Sequence, residues 1–468
     1  MSIARLTNVP PLEAMPASAG IPTLCEKKEE EPISILPDPE PDVSEEEWYP
    51  DGGLRAWLVV LGCFIYMGTT VSWALAWGVL QDYYHTTMFP DTPLSVLSTI
   101  GGLTSFMMNA TSYLFGGLGD RFGYKRMILI SCILAYICLL VSAFSTKVVH
   151  LFLFQGAFLG LAQGIAMPLY VSLPSQWFYK RRGLASGIAV GGVGIGAAAQ
   201  SLIVRQLIVH LALRKTMIVY AHMHGTLWII AFFLIKERPL PPYLRGAKKR
   251  WLPRNVGWSF LSVASSIFFG IFGVNSPYYF SPTYTKDIVP SLDPKSLLVT
   301  VPLIVMNISL GLGRIAAGRL ADYFGPINMF FSSFFIGGLL QMVLWTFARS
   351  YASILVFSVL NGFIGGWFLS LLPVVCASLF SVEGLSTISG FMLLANAPGQ
   401  MAGSAIGAAI LSASGGDWKG TKSATSVSEV MFNVTKAVTL YSGGMQLVGA
   451  VCIVYARFAK DKRLWALV

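Results

Sequence analysis

Charge is scarce in this chain. Asp, Glu, Lys and Arg make up 12% of its 468 residues, while 54% are hydrophobic. Soluble domains carry about 25% charged residues, so the polar side chains are too few to cover a water-facing globule, and a soluble enzyme is all but excluded. Cysteine is nearly as scarce. Cys63, Cys132, Cys138, Cys376 and Cys452 sit in apolar runs and Cys25 in a polar stretch. With no CxxC pair, neither a disulfide framework nor a zinc site is indicated. No P-loop and no HExxH motif occur, and the serine of LPSQW has no partnering His and Asp nearby. Catalysis and direct ATP-driven pumping therefore have no engine here, and neither a cofactor nor a metal is expected. There are no alternating ten-residue strands, so an outer-membrane barrel is disfavoured.

Long apolar runs take the place of charge. A bilayer core needs about 20 apolar residues in a helix, and twelve stretches qualify. The first six run roughly 55–82, 94–118, 127–145, 149–173, 183–210 and 217–235. The second six run roughly 256–280, 296–318, 327–347, 351–380, 385–412 and 433–457. The expected fold is an all-α integral membrane protein, with an N-terminal six-helix bundle (51–235) and a C-terminal one (256–468). Residues 1–50, rich in Pro and acid, cannot offset their ordering entropy by burial and are expected to form a disordered cytoplasmic tail. They also lack the pattern of a secretory signal peptide. The formal charge of +10 does not point to nucleic acid, because the basic residues cluster in short loops and above all in the linker 236–255. That pattern places both termini in the cytoplasm. The plasma membrane is the expected location, with a vacuolar or other internal membrane as the alternative.

One motif recurs. GGLGDRFGYKR (116–126) follows the second run and GRLADYFGP (318–326) follows the eighth. Gly116, Leu118, Asp120, Phe122 and Gly123 align with Gly318, Leu320, Asp322, Phe324 and Gly325. The copies lie six helices apart, as in transporters built from repeated halves around a midplane site. An Asp at a helix end can sit against the positive N-terminus of a neighbouring helix. Arg121, Lys125 and Arg126 can then pair with acids or lipid phosphates in one conformation, which suits a gate.

With that repeat the chain resembles the major facilitator superfamily, whose signature loop reads GxLxDRxGxKR. Two further motifs are similar to those of its monocarboxylate porter family. PDGGLRAW (50–57), with Asp51, Gly52, Gly53 and Trp57, resembles the opening DGGxGW, one residue longer. WFYKRRGLASGIAVGG (177–192), with Lys180, Arg181, Arg182 and Gly187, resembles YFxKRRxLAxGxAxAG, and GVLQDYY (78–84) looks like fungal members. The resemblance implies a transporter working by alternating access on a small organic anion or carboxylate-bearing metabolite, including export of secondary metabolites. The alternative is efflux of a larger neutral or aromatic metabolite, as in drug antiporters. From the residues themselves, Asp51 is expected to cap or charge the end of helix 1.

Ionisable groups at membrane depth cost about 2.5–3.5 kcal/mol each on insertion scales, so each is a functional suspect. Arg314, within MNISLGLGRIAAGRLAD, is the foremost. By resemblance it matches an intramembrane Arg that engages the substrate carboxylate, a task suited to a planar two-pronged donor. Two positions depart from the family: Leu75 stands near the place of a helix 1 Lys, and Leu310 in the place of an Asp one turn before the Arg. Protons, the family's co-substrate, then need other groups or play no part. Softer candidates for cargo contact are Gln163, Asn275, Tyr278, Tyr279, Asn361 and Asn396. His222 and His224 are expected to pack at a helix end, and Asn433-Val434-Thr435 forms a glycosylation sequon.

Overall fold

The structure is a computed structural model that describes residues 48–92, 94–238, 257–289, 291–292, 296–380, 384–413 and 427–463. The acidic tail up to residue 47 and the linker from 239 to 256 lie outside the described residues. Among the described residues, ten helices are long and apolar enough to cross a membrane. They are α1 (Leu54–Gln81), α3 (Tyr124–Ser142), α4 (Val148–Trp177), α5 (Arg182–Ile208), α6 (His210–Leu234), α7 (Trp258–Pro282), α8 (Val301–Phe324), α9 (Pro326–Trp345), α10 (Tyr351–Phe380) and α12 (Ala437–Lys460). Two further helices of 29 residues, α2 (Leu94–Phe122) and α11 (Leu385–Ala413), complete the twelve. Their runs are diluted by Gly, Ser, Thr and Asn, the residues that let helices approach closely inside a bundle.

Apolar side chains left uncovered confirm which faces meet lipid. Leu129, Ile130, Ile133 and Ile137 stand out along α3, and Ile229, Ile230 and Phe233 along α6. Many polar side chains point inward and find partners there, which suits a lipid-embedded protein. In the first bundle Gln200 donates to the Gly68 carbonyl at 2.7 Å and to Ser72 Oγ at 2.6 Å. It also accepts from Tyr220 at 2.7 Å, so one amide ties α5 to α1 and α6. His224 stacks on Tyr220 with ring centroids 3.9 Å apart, inside the bundle.

The repeated motif is helix rather than loop. α2 continues to Phe122 and α8 to Phe324, and each ends on the aligned glycine. Gly123 and Gly325 adopt φ 92° and φ 88°, left-handed values that stop a helix at little cost only for glycine. The two halves thus share a backbone turn as well as a sequence. A second difference concerns α6, which starts at His210 and not near 217. Arg214 and Lys215 interrupt the apolar run in the sequence, whereas both are exposed at the end of a continuous helix. The chain kinks at Ala212 (φ 56°, ψ 164°), within the first turn of α6.

Three spans are broken near their middle. α1 is interrupted between Thr69 and Ser72, α7 at Asn275 and α10 at Gly366. Irregular backbone at membrane depth survives only where protein or a cavity surrounds it, so these breaks point to the working part of the molecule.

Candidate functional site

Arg314 on α8 is 5% exposed. Its Nε donates to the carbonyl of Gly366, the residue at which α10 is broken, at 3.1 Å. Its Nη1 reaches across to the Val190 carbonyl on α5 at 3.4 Å. A buried guanidinium is costly unless its donors are met, and here two backbone carbonyls meet them in place of a carboxylate. The Tyr278 phenol, in the first turn after the break in α7, lies within electrostatic reach of Arg314. Its OH is buried with no hydrogen-bond partner among the described residues. Leu310 shares an apolar cluster with Tyr278 and Met306, and Leu75 packs against that cluster. The two positions where the resembling family carries charge are therefore a greasy wall beside the arginine.

The other cargo candidates are drawn into helix-to-helix bonds. Asn275 donates to Gln400 Oε1 at 2.7 Å, linking α7 to α11. Asn361 accepts from Gln341 at 3.5 Å within the second bundle. Asn396 donates to Asn109 Oδ1 at 3.0 Å, a bond between α11 and α2 that crosses from one bundle to the other. Gln163 is buried on α4, and Tyr279 is half-buried beside Tyr278. The structure brings Arg314 and Tyr278 together, while these three asparagines serve three separate contacts.

The repeated motif supplies two matched contacts between the bundles. Asp120 Oδ2 accepts from the backbone N–H of Thr387 at 2.8 Å and from its hydroxyl at 2.7 Å, at the start of α11. Tyr124 OH steadies the other oxygen at 2.9 Å. Asp322 accepts from the N–H groups of Gly183 and Leu184 at 2.8 and 3.0 Å, at the start of α5. Each carboxylate thus meets unpaired N–H groups at the positive end of a helix in the opposite bundle. Gly116 and Gly318 allow the approach: a Cβ on Gly116 would lie 2.4 Å from the Ser386 carbonyl, and one on Gly318 2.1 Å from the Gly183 carbonyl. Arg121 and Arg126 stand exposed beside this contact.

Asp51 behaves differently from expectation. It accepts from the N–H groups of Tyr179, Lys180 and Arg181 at 2.7, 2.8 and 3.3 Å, so it braces the turn into α5 and not the end of α1. Gly53 (φ 83°) turns the chain into α1, with Gly52 between them, and Trp57 packs on Phe178 at 4.8 Å. Arg182 lies over the rings of Tyr49 and Tyr179, and Arg238 over those of Trp48 and Trp177. Burial against those indoles lowers the Arg238 pKa from the ordinary arginine value. Lys180 and Arg181 are exposed beside the same turn. Nothing in the sequence paired residue 48 with residue 238.

A membrane-embedded pair of six-helix halves, each with the same acid-capped turn, decides the class. The Major Facilitator Superfamily profile matches residues 58–289. The chain resembles this superfamily over that stretch, just under half of its length. It is 28% identical over 421 residues to an MFS-type transporter of Gibberella moniliformis, covering 89% of this chain and 94% of the other. It is 26% identical over 427 residues to the Aspyridones efflux protein apdF of Emericella nidulans, covering 90% of this chain and 83% of the other. The fold is also that of the human organic anion transporter MFSD10 (TETRAN), with a TM-score of 0.65 at 14% identity, covering 86% of this chain and all of that one. The chain is a multi-pass membrane transporter for a small molecule.

Proposed function

We propose that this transporter moves a carboxylate-bearing metabolite out of the cell by alternating access. The observation that carries the reading is Arg314, a buried guanidinium beside breaks in α7 and α10, held by carbonyls that a carboxylate can replace. An anion offers that fork stronger, charge-assisted bonds than a neutral carbonyl does. Export is supported by kinship with a protein named for efflux of aspyridones. The likeness to the monocarboxylate porters rests on the motifs at Asp51 and Lys180 and agrees with an anionic cargo. Asp120 and Asp322 act as the gate, holding shut the end at which the motif turns lie. With that end cytoplasmic, by the distribution of Lys and Arg, the conformer faces outward. The decisive assay is flux in reconstituted vesicles with a panel of carboxylates and larger aromatic metabolites, with and without a proton gradient. Arg314→Lys, which keeps the charge and loses the planar fork, should lower carboxylate flux about tenfold. Undiminished flux of every carboxylate would remove the anion clamp.

A second reading, efflux of a neutral aromatic metabolite, is favoured by the buried, unpartnered indole N–H groups of Trp73 and Trp367. Flux of neutral aromatics that survives Arg314→Lys would select it.

A further inference from the structure

We propose that Tyr278 is the second donor of the anion site, and that the wall beside it selects carboxylates with an apolar body over small hydrophilic ones. The inference rests on the reading of Arg314 as an anion clamp and adds to it what the clamp accepts. Tyr278 is 8% exposed, and its hydroxyl has no hydrogen-bond partner, an arrangement that native proteins rarely leave unexplained. A phenol OH donates well to a carboxylate, and the arginine close by supplies the charge that would bring one there. The same phenol belongs to an apolar cluster with Met306 and Leu310, against which Leu75 packs from the opposite bundle. One end of the site is thus a cation with an idle donor and the other is hydrocarbon. A ligand with a carboxylate head and an aromatic or aliphatic body satisfies both, whereas a hydroxylated short acid leaves its remaining hydroxyl unpaired against leucine. The position in the fold agrees. Tyr278 opens the second half of the broken helix α7, and the carbonyl that holds Arg314 marks the break in α10. Tyr278 therefore stands on an interrupted span, and Arg314, on the unbroken α8, is held by the interruption of another.

The test uses the purified full-length protein in lipid nanodiscs, with 4-phenylbutyrate, its methyl ester and lactate as probes. Wild type should bind 4-phenylbutyrate, bind lactate at least tenfold more weakly and ignore the ester. Tyr278→Phe should weaken 4-phenylbutyrate about tenfold, as expected for one hydrogen bond to a charged group. It should also raise the melting temperature of the unliganded protein, because a buried orphan hydroxyl is removed. A residue with a purely structural role would not give that pair of effects. Unchanged 4-phenylbutyrate affinity in Tyr278→Phe overturns the proposal, as does a lower melting temperature without ligand. Equal affinity for lactate overturns the selectivity. Arg314→Gln separates the two readings: if it binds 4-phenylbutyrate as wild type does, the clamp itself is wrong. If it loses binding while Tyr278→Phe keeps it, only the present inference fails. Wild type binding none of the carboxylates overturns both.

Discussion

Asp51 holds a left-handed backbone (φ 48°) that few residues other than Gly, Asn and Asp tolerate, and from it reaches three N–H groups of the turn into α5. Replacing it with alanine removes their acceptor while leaving the residue strained. Asp51→Ala should therefore lower stability by about 1–2 kcal/mol, read as a drop in melting temperature in detergent. Ala212 presents the opposite case. At φ 56°, ψ 164° it occupies a region that is essentially open to glycine alone, at a cost of about 1–3 kcal/mol. Ala212→Gly should relieve that strain and raise the melting temperature, and a fall would show that the methyl group is needed for packing. The Asp-Gly-Gly motif was visible in the sequence, but its target was not: 128 residues separate Asp51 from Tyr179. The alanine carried no signal at all, since it sits unremarked in an apolar run.

Helix α5 is rich in glycine because two of its faces touch backbone. A Cβ on Gly187 would lie 2.5 Å from the Arg314 carbonyl of α8, in the opposite bundle. A Cβ on Gly196 would lie 2.0 Å from the Gly68 carbonyl of α1, in its own. Backbone cannot swing aside as a side chain does, so Gly187→Ala must push α5 and α8 apart, at about 1–3 kcal/mol. With Asp120 and Asp322 acting as the proposed gate, that contact is lost when the bundles part at this end. The substitution should shift the population toward the conformer open there, seen as faster labelling of a cysteine placed at Leu184. Gly52→Ala, where nothing lies within 4 Å of the added methyl, is the matched control and should leave labelling unchanged. The run of small residues was legible as a helix-packing surface, while which glycine faces which bundle was not. A period of small residues marks close approach without naming the partner.

Across the whole molecule, two carboxylates related by the internal repeat each accept N–H groups at a helix start in the opposite bundle: Asp120 at α11 and Asp322 at α5. Losing one leaves the other to hold the bundles, so Asp120→Asn and Asp322→Asn should each slow turnover. The double variant should depart from additivity by more than about 0.5 kcal/mol, because both groups act on one closed state. Additive effects on flux would separate the two contacts. Asparagine keeps the shape but forfeits the charge that favours a helix N-terminus, so expression and membrane insertion should be unchanged.

Composition and run length sufficed for a membrane protein of twelve helices in two halves, because water and hydrocarbon act on each residue locally. The repeat announced its glycines and acids in the same way, since a left-handed turn restricts residue type wherever it occurs. Partners were another matter. Arg314 was conspicuous as a charge among apolar residues, yet its acceptors are main-chain carbonyls of Val190 and Gly366, groups that every residue carries. Asn275, Asn361 and Asn396 stood as softer candidates for cargo contact, and each takes part in a different helix contact. Hydrogen bonds between helices depend on rotation, depth and the places where a span breaks, and those follow from packing twelve helices together. The sequence already showed leucines at 75 and 310, and the tertiary structure alone gathered them around Tyr278 and left its hydroxyl idle.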